Sequence, residues 1–224
     1  MFSVLYFSVM GMDLVVMFIP DVEFLRLFTK PSLLLLLILY YSSNDDENVS
    51  KDFVFTILAL SFFLVANLAT YFYQEPLLIM TASICFILGK IFYICRFSNG
   101  KGFNIVNFLP FLASYLLYIF VILNLTLDNL GSSLIPILLF LFVTFLAVQF
   151  ALLRKGTVSK SSYQLVIFGM VTLMLSDTLS VLGAFHRYWP WERFLTMMFY
   201  ATAQYLLVMG LVKEKKEPMD TRYA

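Results

Sequence analysis

The chain has 224 residues, of which 61% are hydrophobic and 13% charged, with a mean hydropathy of +0.89. A soluble domain carries about 25% charged residues, so the composition excludes one of any size and describes an all-α, polytopic membrane protein. A formal net charge of +1 without a basic block excludes nucleic acid, because neutralising phosphates takes clustered Lys and Arg.

Crossing the hydrocarbon core takes about 20 mostly apolar residues per helix. Polar clusters and Pro or Gly breaks divide the sequence into eight such segments: 3–19, 24–41, 53–73, 76–96, 105–125, 132–153, 163–185 and 192–213. Asp13 interrupts the first, which lacks a basic n-region and reads as an uncleaved insertion signal. Lys30 and Pro31 interrupt the second. The two cysteines, Cys85 and Cys95, share the fourth segment, where helical geometry separates them by about 15 Å and forbids a disulfide. Short connections make sequential helices antiparallel neighbours in one bundle. Residues 1–213 thus form a single transmembrane domain and 214–224 a polar tail.

Alternating sides collect the basic residues unequally, with four on one side (Arg26, Lys30, Arg187 and Arg193) and ten on the other. The positive-inside rule then places both termini in the cytoplasm, and in a bacterium the protein would sit in the inner, or cell, membrane. Asp13, Glu75 and His186 fall near segment ends, where water or headgroups can solvate them, and Trp189 and Trp191 read as interface anchors.

Polar side chains within hydrocarbon are candidates for function. Four stand out: Asn67, Lys90, Asp177 and Gln204. Around Asp177, the residues Gly169, Thr172, Ser176, Ser180 and Gly183 recur at steps of three or four, a stripe suited to close helix contact. Close contact needs no carboxylate, so Asp177 must face a polar cavity, a cation or a proton. Thr196, Tyr200 and Gln204 share one face of the eighth helix, and Asn67, Thr70 and Gln74 one face of the third. Lys90 has two open readings: its stem snorkels to the interface, or it turns inward with Asp177 as its counter-charge. No metal or cofactor is expected.

Three short words extend this reading: Lys30-Pro31 opening the second helix, Ser176-Asp177-Thr178-Leu179-Ser180 in the seventh, and Tyr200-Ala201-Thr202-Ala203-Gln204-Tyr205 in the eighth. In these words, and in their order along nearly the whole chain, the sequence resembles the YhhN-type membrane proteins, which include the lysoplasmalogenases. The resemblance implies hydrolysis of the vinyl ether bond of a lysophospholipid of the plasmalogen type. It implies Asp177 and Asn67 at the catalytic positions, with Lys90, Ser176, Tyr200 and Gln204 placing substrate and water, and a membrane lipid or lysophospholipid as the partner. Cleavage needs a protonated carboxylic acid to deliver a proton to the alkene carbon, and a second carboxylate to steady the cation that forms.

Two positions depart from the family pattern. Ala66-Asn67 stands where the family carries Gly-Asp, and Gly89-Lys90 where it carries Ala-His. Asn67 exchanges no proton, and an ammonium beside Asp177 would hold the carboxyl ionised. Three functions therefore compete: a lysoplasmalogenase-like hydrolase, a non-catalytic lipid- or partner-binding protein of the same fold, and a transporter, for which the sequence lacks internal repeats or paired broken helices.

Overall fold

Long runs of Leu, Ile, Phe and Val leave the backbone no polar partner but itself, so each run closes its hydrogen bonds as a helix. The computed structural model describes residues 1–44, 50–72, 75–98, 105–186 and 191–214. Among these residues are eight α-helices and no strand: α1 Phe2–Val16, α2 Arg26–Asn44, α3 Lys51–Tyr71, α4 Pro76–Phe97, α5 Ile105–Leu130, α6 Leu134–Leu153, α7 Lys160–Phe185 and α8 Glu192–Val212. Five of them (α3, α4, α6, α7 and α8) are long and apolar enough to cross a membrane, and α1 is a shorter apolar helix.

Local chemistry sets the helix ends. Ser50 and Ser159 cap α3 and α7 by accepting hydrogen bonds from the backbone N–H groups of Phe53 and Ser162, at 3.1 and 3.4 Å. Pro76 opens α4 at a position whose N–H would have no helical partner. Gly156, with φ +75°, makes the turn between α6 and α7 in a conformation that L side chains rarely adopt. Pro31 does not break the second helix as the sequence suggests. A 3₁₀ turn, Pro20–Leu25, leads into α2, and Pro31 falls in the second turn of that helix, which gives up the one backbone hydrogen bond that proline cannot donate and runs on.

Six helices form a closed ring in the order α2, α3, α4, α6, α7, α8, with α8 returning to α2. α1 covers α2 and α8 from outside, and α5 packs on α6 and α7. Sequential neighbours are therefore not always spatial ones, because among the described residues α4 lies against α6 and does not contact α5. The core inside the ring holds Tyr6, Leu34, Leu37, Phe63, Tyr93, Met170, Leu173 and Leu207. A smaller cluster around Ile119, Ile122, Leu141 and Val181 fastens α5. The outer faces carry exposed Leu39, Leu77, Met80, Leu117, Phe120, Ile135 and Phe168, apolar surface that only a lipid solvent accommodates.

α1 begins and α8 ends at the same end of the ring, where Ser3 Oγ and Tyr205 OH lie 2.7 Å apart. This is called the terminal end below. At the opposite end Glu75, His186 and Trp191 are exposed, with Trp191 against Phe18 and Phe194. Trp189 lies outside the described residues. Asp13 departs from the expectation of a solvated interfacial carboxyl: it is fully buried, accepts a hydrogen bond from Thr29 Oγ1 at 2.6 Å and lies 3.6 Å from Arg26 Nε.

Part of the small-residue stripe brings α7 and α8 together. A Cβ at Gly169 would meet Leu207 at 2.9 Å, one at Gly183 would meet the side chain of Glu192, and one at Gly210 of α8 would meet Val166 at 2.8 Å. Ser176 Oγ donates to the Thr196 carbonyl across the same contact at 2.9 Å. Thr172 bonds only its own helix at Phe168 O, and Ser180 is exposed. The face that meets α8 therefore carries Gly169, Ser176 and Gly183, at steps of seven.

Candidate functional site

Polar side chains project into the ring from α3, α4, α6, α7 and α8. On α4, Gly89 lets the helix approach α3 until a Cβ would touch Phe63 at 3.0 Å and the Ala59 carbonyl at 3.2 Å. The next residue, Lys90, is fully buried. Side chains lean toward the N-terminus of their own helix, so the stem of Lys90 runs toward the middle of the bundle and away from the nearer end of α4. The inward reading of Lys90 thus replaces the snorkelling one. Its Nζ lies 2.7 Å from Asp177 Oδ2 on α7 and donates to Thr144 Oγ1 on α6 at 2.7 Å. Thr144 Oγ1 is itself 2.7 Å from Asp177 Oδ2 and 3.0 Å from the Phe140 carbonyl, and the ammonium stands 3.3 Å over the Phe140 ring. Cation, hydroxyl, carboxylate and ring face form one compact set on three helices. The ring quadrupole adds to the stabilisation of the ammonium.

A second pair joins α3 to α8. Asn67 Nδ2 donates to Tyr200 OH at 2.7 Å and to the Phe63 carbonyl at 2.9 Å. A third joins α4 to α8, where Tyr93 OH donates to Gln204 Oε1 at 2.9 Å. Gln204 Nε2 is buried without a hydrogen-bond partner. Phe63 packs against both tyrosines, its ring centroid 5.6 Å from that of Tyr93 and 6.1 Å from that of Tyr200. The predicted residues therefore all point into the ring but group as three separate contacts, Lys90 with Asp177, Asn67 with Tyr200, and Gln204 with Tyr93. Ser176, beside Asp177 in sequence, spends its hydroxyl on the α7–α8 contact. Thr70 donates to the Asn67 carbonyl at 2.8 Å and receives Lys30 Nζ at 3.4 Å. Gln74, placed on the same face by the sequence, lies outside the described residues.

Sequence reasoning missed Thr144, the hydroxyl between ammonium and carboxylate. A lone Thr in an apolar helix most often bonds its own i−4 carbonyl, as Thr144 also does, and nothing in the sequence marks it further. Tyr93 was legible as a neighbour of Lys90 but not as the partner of Gln204. Also missed were two ionic clusters at the ends of the bundle. At the terminal end, Arg96 reaches Asp52 at 3.4 Å and Glu214 at 2.6 Å, and Arg154 reaches the same Glu214 oxygen at 2.8 Å. At the opposite end lie Asp13, Arg26 and Lys30. Both clusters sit near segment boundaries, where charge reads as solvated loop.

Comparison with curated proteins gives no match, and neither does comparison with solved structures. A family model does match, that of the YhhN family, over residues 25–211. The matched region spans the ring helices, from the start of α2 to the last turn of α8, and so includes the Lys-Pro of α2, the Ser-Asp of α7 and the Tyr-to-Gln run of α8. This chain belongs to the YhhN family.

Proposed function

We propose that this protein acts in lysophospholipid metabolism as a lysoplasmalogenase-like hydrolase, with Lys90 and Asp177 as its acid–base pair. The observation that carries the reading is the 2.7 Å contact between Lys90 Nζ and Asp177 Oδ2. In the family pattern one carboxylic acid protonates the alkene, whereas Asp177 here is paired with Lys90 and needs a proton to act as that acid. The contact supplies one. When the hydrocarbon chain of a substrate displaces water, the proton can pass from Lys90 to Asp177, since opposite charges removed from water lose their advantage over a neutral acid and a neutral amine.

Asp177 then delivers the proton to the distal alkene carbon, leaving an oxocarbenium ion and a carboxylate beside it. Water adds to the cation while the Lys90 amine takes the proton that water loses. The hemiacetal collapses to a fatty aldehyde and the glycerophospho-alcohol, and the ammonium–carboxylate pair is restored. Thr144 holds both partners in register, and Asn67 with Tyr200 offers hydrogen bonds to glycerol or water.

A second reading, binding without turnover, is favoured by Asn67. Both donors of its amide are spent inside the protein, and it has no proton to exchange. Aldehyde release from a 1-alkenyl lysophosphatidylethanolamine by the purified protein separates the two. The hydrolase reading expects release by the wild type and a loss of about 10²–10⁴-fold in Lys90→Met and in Asp177→Asn. Lysolipid binding without aldehyde from the wild type, with release appearing in Asn67→Asp, would establish the second.

A further inference from the structure

We propose that Lys30 and Arg26 form the phosphate subsite of the lysophospholipid headgroup, at the end of the bundle opposite the termini. The inference rests on the lysophospholipid reading above and adds where the anion sits. The first two turns of α2 carry Arg26, Thr29 and Lys30, and they meet Asp13 of α1 and Thr70 of α3. Two cations face one carboxylate. Asp13 answers Arg26 through Nε, which lies 3.6 Å from Asp13 Oδ1, and both that Nε–H and Asp13 Oδ2 are buried with no hydrogen-bond partner. Lys30 is half-buried, its ammonium 3.4 Å from the Thr70 hydroxyl, and no carboxylate among the described residues lies within the 4.0 Å of an ion pair. Two cations against one carboxylate, one of them an ammonium whose described partner is a hydroxyl, suit a phosphate diester, which takes Arg as a directed donor and Lys as a point charge.

Depth fits the same ligand. Lys30 lies four residues inside the start of α2, and Asp177 eight residues inside the end of α7 at the same side of the bundle. At 1.5 Å per residue the backbone at Asp177 is about 6 Å deeper than the backbone at Lys30. Three glycerol carbons, close to the rise of one helical turn of about 5.4 Å, separate the phosphate ester from the vinyl ether oxygen. A headgroup held at Lys30 therefore sets the ether bond at the depth of Asp177. Thr70 and Asn67, one turn apart on α3, line the interval.

The test compares 1-acyl lysophosphatidylethanolamine with the monoacylglycerol of the same chain, bound to the purified protein in maltoside micelles, which contain no phosphate. The wild type should prefer the lysophospholipid by about tenfold or more. Lys30→Met should bring the two within about twofold, and Lys30→Arg should keep the preference. A preference unchanged in Lys30→Met and in Arg26→Met overturns the subsite and leaves the proposed function standing, whereas a wild type that binds neither lipid overturns the function itself. Displacement of the lysophospholipid by an equal concentration of inorganic phosphate would assign the cations to a free anion and overturn the lipid assignment. Salt provides a check on the wild type alone: it should weaken lysophospholipid binding and spare the monoacylglycerol, and an equal response of the two would overturn the subsite.

Discussion

The two ends of the bundle solve opposite electrostatic problems with the same residue types. At the terminal end Arg96 and Arg154 meet Asp52 and Glu214, two positive charges against two negative, each arginine at the C-terminal end of its helix where the dipole favours it. Arg96 Nε and Arg154 Nη1 lack hydrogen-bond partners, yet the carboxylates answer the charge of both residues. At the other end Arg26 and Lys30 face one carboxylate among the described residues, that of Asp13. A balanced set fastens helices. An unbalanced one is costly to keep unless something else completes it, and that difference separates a structural cluster from a binding one.

The strongest way to break the comparison is to unbalance the balanced end. Glu214→Ala leaves two buried guanidiniums facing one carboxylate and should cost about 3–5 kcal/mol, read as a large fall in melting temperature in detergent with the lysolipid preference intact. The centre should behave like the terminal end: Lys90→Met and Asp177→Asn each destabilise by a similar amount, and the double variant recovers most of it, because the expensive state is one charge without the other. A double variant no more stable than the singles would show that Thr144 and the Phe140 ring, not the charge pair, hold the set together. Lys30→Met sharpens the contrast. Removing a cation that has no carboxylate partner among the described residues should leave the stability within about 0.5 kcal/mol of wild type or raise it, although it abolishes the headgroup preference. A neutral contact at the terminal end should change stability modestly and binding not at all: Tyr205→Phe loses one hydrogen bond to Ser3 and should cost about 1 kcal/mol or less.

How far the sequence carried this reading depends on the kind of signal. Eight helices and their approximate limits followed from apolar runs alone, since a helix is the only way such a run satisfies its backbone in hydrocarbon, and five of the eight are long and apolar enough to cross a membrane. The placement of α5 outside the ring did not follow, because lipid is as apolar as a neighbouring helix and the faces that meet each look alike in sequence. Asp177, Lys90, Asn67 and Gln204 were visible because each is out of place in an apolar helix. Their grouping was not, for it depends on crossings such as α4 against α6 that no local pattern encodes. Asp13 was misplaced because a carboxyl near a segment end looks solvated until the turn after α1 folds Arg26 and Thr29 back over it.

The pairing of Lys90 also has a dimension in time. Thr144 follows Lys90 by 54 residues, and Asp177 follows Thr144 by 33. A ribosome adding roughly 5–20 residues per second would leave the ammonium without its carboxylate for on the order of 4–17 s after α4 is made. A central lysine costs about 2.5–3.5 kcal/mol on insertion scales, so α4 has reason to linger at the insertion machinery until α7 emerges. The order in which helices leave the ribosome thereby becomes part of what this one ion pair demands of the cell.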